Sequence, residues 1–358
     1  TVTVICVLLA LHADPSHIQA ADRQTGGNWP GAATALYMTS VDPVGISYYA
    51  TNMPHSSQPW TGIILDWGQP WSQAGVYGTQ LYNDPTNPLD TVPRYATTAQ
   101  IEVATEQFIA DYTDCCGQVG GTSFVVGTSN HGSLVTSAHG SQWAQMVIDI
   151  NNWMQAVGYD YHFDAATGID AEPAWSTAAA VRSWVDAYKN VPGRLEYYDY
   201  GSCDNCPNAS VTGCYYDAVA HPDCDAEVPN VQLPGLPSPW SVSDVYYIAW
   251  GATPASPFPE IYTSNTADQW EYVYLYGSAR SDQEGFSIYG TLNECGAEVQ
   301  TSGHTLTYTP RQGWNAMVNA TNTAAFTPYT SQSVIQWSSD IAYELSSLTP
   351  LPSGTCYS

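Results

Sequence analysis

The chain has 358 residues, 44% of them hydrophobic, enough for one large α/β domain with a sizeable core. Its net charge is −26 because cations are scarce: Asp and Glu number 33, Lys and Arg only 7, and charged residues total 11%, against about 25% in typical soluble domains. No basic patch can form, which excludes nucleic acid and anionic membrane surfaces as partners; a surface of Ser, Thr, Asn, Gln and Tyr suits carbohydrate contact or self-assembly instead.

Val2 to Leu11 (VTVICVLLAL) is an apolar run too short to span a bilayer as a helix. With Ile18 to Ala21 behind it, it reads either as a signal remnant without its basic start or as a strand added to a neighbouring copy of the chain. The sequence therefore divides into an N-terminal apolar segment, 1–30, and a single domain, 31–358. Ala35 to Val41 and Thr61 to Asp66 (TGIILD) are apolar runs of strand length, and Ile101 to Tyr112 has helical spacing. Ser123 to Gly127 (SFVVG) is a strand. Trp143 to Val157 is the clearest amphipathic helix in the chain. Tyr161 to Glu172 is a strand ending in Asp170-Ala171-Glu172-Pro173-Ala174-Trp175. Ser176 is placed to cap the helix bearing Val181, Trp184, Val185 and Tyr188. Leu195 to Tyr200 is the next strand, and Val245 to Trp250 (VYYIAW) and Glu260 to Thr263 read as further strands. Thr266 to Tyr276 is helical, Phe286 to Leu292 a strand, Thr309-Pro310 opens a last helix, and Val334 to Trp337 reads as a final strand.

Nine cysteines, four of them (Cys203, Cys206, Cys214, Cys224) within one polar loop, point to an oxidising, extracellular setting and to long loops stapled by disulfides. The same four could hold zinc. Asn208-Ala209-Ser210 and Asn319-Ala320-Thr321 are N-glycosylation sequons, placing candidate modification at Asn208 and Asn319; chance in a chain rich in Asn, Ser and Thr is the alternative.

Repeated strand-then-helix order with near-continuous apolar strands marks a parallel sheet covered on both faces. About eight strands over this length favour a single α/β domain of the (β/α)8 TIM-barrel type with disulfide-stapled loops. An open doubly wound sheet would carry a glycine-rich phosphate turn after a strand, and none is present.

In such barrels function sits at the C-terminal ends of the strands. On a strand, Asp170 and Glu172 share a face roughly 7 Å apart along the backbone, and mutual repulsion pushes one pKa up. A protonated carboxyl beside an ionised one is what glycoside chemistry requires. Asp66 ends another strand. Trp67, Trp175, Tyr198, Trp250, His131 and Glu294 complete a ring of acids and aromatics suited to binding sugar. The alternatives are plain: Asp170 and Glu172 could cap a loop or pair with Arg, Glu294 could serve only the turn beside Cys295, and His131, Tyr198 and Trp250 could be core or rim residues. Scattered histidines and the absence of H-E-x-x-H give no support for a metal centre, and no G-x-S-x-G elbow occurs.

Three short motifs resemble (β/α)-barrel glycoside hydrolases with a D-x-E pair, nearest the family 25 lysozymes and next the family 18 chitinase-like proteins. Gly62 to Gln69 (GIILDWGQ) is similar to the family 25 strand in which Asp precedes an aromatic residue and Gln. Gly168 to Glu172 is similar to its D-x-E, and Tyr247 to Trp250 (YIAW) to a later strand. Gly168 stands where family 18 carries a further acid. The resemblance implies Glu172 as general acid, with Asp170 and Asp66 orienting substrate and stabilising charge. The sequence thus leads to a secreted protein that hydrolyses or binds polysaccharide without a cofactor. The alternative is a non-enzymatic extracellular assembly protein forming homo-oligomers or filaments through residues 2–11.

Overall fold

A computed structural model describes residues 29–53, 60–85, 87, 89–116, 121–208, 227–228, 240–278, 286–303, 307–322, 335–344 and 356. The apolar run 2–11, Cys6, Cys214, Cys224 and Val334 lie outside the described residues. Eight strands run parallel in chain order: β1 (Ala33–Tyr37), β2 (Trp60–Asp66), β6 (Gly121–Ser129), β7 (Phe163–Asp170), β8 (Tyr197–Asp199), β11 (Ala255–Pro257), β12 (Gly290–Asn293) and β13 (Trp337–Tyr343). Each but β12 pairs with its predecessor, and β13 returns to β1, Ala33 lying beside Ser339. The remaining gap, between β11 and β12, is closed by a parallel bridge from Glu260 to Leu292, with Leu292 N–H donating to the Pro259 carbonyl at 2.9 Å and Ile261 N–H to the Leu292 carbonyl at 2.9 Å. This is a (β/α)8 barrel.

The crossovers carry α1 (Pro43–Asn52), α2 (Thr98–Cys116), α3 (Ser137–Val157), α4 (Ala178–Lys189), α5 (Val242–Tyr246), α6 (Ser264–Ser278), and α7 (Cys295–Ser302) with α8 (Pro310–Thr321). Their starts follow from capping chemistry: Asp42, Thr136 and Thr309 each accept a backbone N–H from the first turn. Thr177, not Ser176, caps α4, accepting from Ala180 N–H. Between β2 and α2 a small antiparallel sheet stands on the rim: β3 (Gln69–Gln73), β4 (Val76–Gln80) and β5 (Tyr95–Thr97). His139 of α3 fixes it from behind. One ring nitrogen contacts the Gly78 carbonyl at 2.9 Å, and the other accepts from the Trp184 indole N–H at 2.9 Å. A second pair, β9 (Glu227–Val228) with β10 (Trp240–Ser241), lies in the long loop after β8.

Two expected strands are overturned. Of Glu260 to Thr263 only the isolated bridge at Glu260 remains. Val245 to Trp250 belongs to α5 and a π-helical turn over Tyr247–Gly251. Ser241 and Asp244 form a capping box that starts a helix there, and this local signal outweighs the strand preference of Val, Tyr and Ile. The sixth strand is the shorter Ala255–Pro257, so the YIAW likeness to a family 25 strand falls away.

Strand alternation sorts the core into two layers. Ile64, Val125, Ala166, Tyr198, Phe258, Leu292 and Ile341 fill the barrel, while Ile63, Leu65, Phe124, Val126, Ala165 and Ile169 pack outward toward the helices. The interior is made by pairing large rings with glycines: a Cβ on Gly62 would lie 2.8 Å from the Trp337 ring, and one on Gly290 2.3 Å from Phe258. Two disulfides, Cys203–Cys206 and Cys295–Cys356, staple the loops after β8 and β12. Among the described residues no helix is long and apolar enough to cross a membrane.

Candidate active site

The alternation that fills the barrel also builds the site. Asp66 shares the inward parity of Ile64, Asp170 that of Ala166, Glu260 that of Phe258, and Glu294 that of Leu292. Four carboxylates from the second, fourth, sixth and seventh barrel strands thus turn into the C-terminal mouth, with Glu172 just beyond Asp170. Carboxylate oxygens of Asp170, Glu172 and Glu260 lie within 4.8 Å of one another.

Each acid is held differently. Asp66 accepts from Gly68 N–H at 2.9 Å and from the Tyr82 hydroxyl at 2.9 Å. The main chain of Glu172 is clamped by Asn130 at the end of β6: its N–H donates to Asn130 Oδ1 at 3.1 Å, and its carbonyl accepts from Asn130 Nδ2 at 2.8 Å. Tyr37 at the end of β1 donates its hydroxyl to Glu294, and the single Tyr262 hydroxyl is shared between Glu294 and Glu260. Asp170 Oδ1 and Glu260 Oε2 are buried without a hydrogen-bond partner.

Burial with few donors, and with no cation beside the cluster among the described residues, raises these pKa values. Burial lifts Asp66 to about 6 and Glu172 to about 8, the latter helped by the charges of Asp204 and Glu294. Asp170 is pushed well above the usual range by burial, then by Glu172, Asp66 and Glu294. Glu260 rises for the same reasons, burial first and Asp170 next. Glu294 is raised by burial, but the Tyr37 and Tyr262 hydroxyls pull it back. Protons hold such a cluster together at neutral pH. The sequence offered no support for a metal centre; the assembled Asp170, Glu172 and Glu260 oxygens are hard donors of the kind that could take a divalent cation in place of those protons.

Of the residues foreseen from sequence, Asp66, Asp170, Glu172 and Glu294 converge. Trp175 and His131 stand on the rim beside them, ring centroids 5.8 Å apart. Three do not join them. Trp67 has the opposite parity to Asp66 and is buried in the outer layer. Tyr198 faces the barrel interior among Tyr289, Phe258 and Trp337, below the mouth. Trp250 lies in the π-helical turn that leads into the start of β11, at the opposite end of the barrel. Glu260 and the tyrosines 37, 82, 200 and 262 were not foreseen. Strand parity would have found Glu260 had the sixth strand been placed at residues 255–257.

No protein-family model matches the chain, and no curated protein matches it. Among solved structures it is similar to an endo-1,4-beta-mannanase from Rhizomucor miehei, at 8% identity over 92% of this chain and 91% of that one, with a TM-score of 0.39. A mandelate racemase/muconate lactonizing enzyme from Sulfitobacter sp. is similar at 10% identity over 75% of this chain and 55% of that one, with a TM-score of 0.26. At these scores the likenesses carry no functional assignment; the barrel rests on its own strand order.

Proposed function

We propose that the chain is an extracellular glycoside hydrolase in which Glu172 protonates the leaving oxygen and an ionised carboxylate, Glu294, acts on the sugar from the other side. One observation carries this reading: Glu172, with a pKa raised to about 8, keeps its proton at neutral pH while remaining more open than the acids packed against it. It is 8% exposed, against 1% for Asp170, 1% for Glu260 and 0% for Asp66, and the half-buried Glu294 opens beside it. Glu294 accepts from the Tyr37 hydroxyl and is half-buried where the other acids are buried, so solvent and donor together hold it best as an anion. Asp170 and Asp66 surround the reacting ring with partial negative charge, which favours the positive charge that develops on the sugar in the transition state. The disulfides Cys203–Cys206 and Cys295–Cys356 support an oxidising compartment.

The test is hydrolysis of a panel of soluble polysaccharides by the wild type and by Glu172→Gln. Loss of a positioned general acid costs about 10²–10⁴-fold in kcat, with the thermal unfolding curve retained. In the wild type the rate should fall as pH rises through about 8, where Glu172 gives up its proton, and that limb should vanish in the variant. An undiminished rate in Glu172→Gln overturns the assignment.

A further inference from the structure

The rim sheet after β2 presents a face whose chemistry matches the site it adjoins. Register places Trp71 opposite Gly78 and Thr97, and Gln69 opposite Gln80 and Tyr95. These positions share one face, because Gln69 and Trp71 are two apart on β3, as are Gly78 and Gln80 on β4. The other face, through Pro70, Thr79 and Ala96, is buried. Gly78 leaves the middle strand without a side chain between them, and the Trp71 ring meets the Tyr95 ring, centroids 5.0 Å apart and inclined by 34°. Tyr95 is 46% exposed and Trp71 half-buried, so the pair is a platform open to solvent and not core.

The face continues to the acids without a break. Gln69 Nε2 donates to Gln80 Oε1 at 3.1 Å. His131 Nδ1 donates to Gln69 Oε1, since an amide oxygen only accepts. His131 meets the edge of Trp175, and Trp175 N–H donates to the Glu172 carbonyl at 3.2 Å. The path from proton donor to platform therefore runs Glu172, Trp175, His131, Gln69, Gln80, then Trp71 with Tyr95. Aromatic rings at both ends flank the imidazole and the two amides, and no residue on this path from Trp175 to Tyr95 is an acid, a lysine or an arginine.

We propose that Trp71 and Tyr95 form a distal subsite for an uncharged polysaccharide chain whose cleaved bond lies at Glu172. This rests on the hydrolase reading and extends it to a substrate class: neutral, several sugar units long, and attacked within the chain. A flat ring takes the C–H face of a pyranose, and Gln and His exchange hydrogen bonds with its hydroxyls. Anionic glycans are excluded by charge, since the protein carries −26 with seven cations. A polypeptide partner would leave the row of amide and imidazole groups unused.

The experiment uses the full chain and a set of soluble neutral polysaccharides (a galactomannan, a mixed-linkage glucan and an arabinoxylan), with a short aryl glycoside of the same sugar as control. Glu172→Gln serves as the non-hydrolysing background for affinity electrophoresis. In that background Trp71→Ala and Tyr95→Ala should each weaken retention by about tenfold, while Trp71→Phe, which keeps a ring, should restore most of it. In the active protein the same changes should raise KM for the polymer and leave the aryl glycoside rate unaltered. Retention that depends on Trp71 without any hydrolysis by the wild type would uphold the subsite and remove the hydrolase reading. Hydrolysis with polymer and aryl glycoside affected equally, or not at all, would remove the subsite alone. No retention of any of the polysaccharides by Glu172→Gln overturns the subsite. Equal thermal unfolding of the variants excludes misfolding as the cause.

Discussion

Glu172 and Glu294 are the same kind of acid at the same mouth, and their neighbours set them apart. Glu172 meets the charges of Asp204 and Glu294; Glu294 meets two phenols. Burial keeps Tyr37 itself far above its ordinary pKa, so it stays a donor over the working pH range. Removing that hydroxyl in Tyr37→Phe deletes a hydrogen bond to a charged group, worth about 1.5–3 kcal/mol. We expect kcat/KM to fall about 10- to 100-fold, and the acid limb of its pH profile to move to higher pH because Glu294 then takes up a proton sooner. A profile superimposable on the wild type would exclude Glu294 as the ionised partner.

At the scale of elements, the barrel was legible because its strands are long and apolar where they are buried on both sides. β2, β6 and β7 fall where the sequence placed them, and so does the end of β7 that carries Asp170. β11 was illegible for a physical reason: three residues, Ala255–Pro257, are too few to show a period, and the stronger apolar run before them was taken by a capped helix. Glu260 and the platform of Trp71 escaped for related reasons, since one follows a three-residue strand through an isolated bridge and the other sits on a short rim hairpin without an apolar run. Gly168 is the informative departure from the family 18 pattern. A Cβ there would lie 2.5 Å from the Tyr200 ring and 2.6 Å from Val125, and one on Gly127 2.2 Å from the Tyr200 hydroxyl. Tyr200 thus lies over two glycines and reaches toward Asp66, so an acid at 168 has no room. Gly168→Ala should overpack this spot and cost about 1–3 kcal/mol, read as a lower midpoint in denaturant, and should displace Tyr200 from Asp66. A variant as stable as the wild type would mean that the ring has slack to move.

At the scale of the whole molecule, the buried acids make folding a proton-binding reaction. Folding raises Asp66 from 3.8 to about 6, Asp199 from 3.8 to about 7, and Glu172 and Glu344 from 4.5 to about 8, in every case chiefly by burial. A carboxyl whose pKa rises on folding gives its full contribution below the unfolded value and loses it as pH climbs through the folded value. The window of loss therefore opens near pH 4 and closes near pH 8. His139 works the other way: burial lowers it from 6.5 to about 4, so the unfolded chain takes its proton first and stability is lost as pH falls across that interval. One histidine stands against four carboxyls, and the self-repulsion of a net charge of −26 adds to the carboxyl side as pH rises. Tm should therefore be highest near pH 4 and fall toward pH 8.5. Glu344 lends itself to isolating the effect because it lies outside the acid cluster, bridging to Thr39 N–H at 3.3 Å. Glu344→Gln cannot lose a proton, so its Tm should fall less steeply between pH 5 and 8, by a difference on the order of a few kcal/mol at the alkaline end. If both proteins lose stability in parallel, net charge alone drives the fall and Glu344 is ionised in the folded state; if Tm instead climbs steadily to pH 8, the buried carboxyls are held as anions, and the proton on Glu172 that the proposed chemistry needs would be absent too.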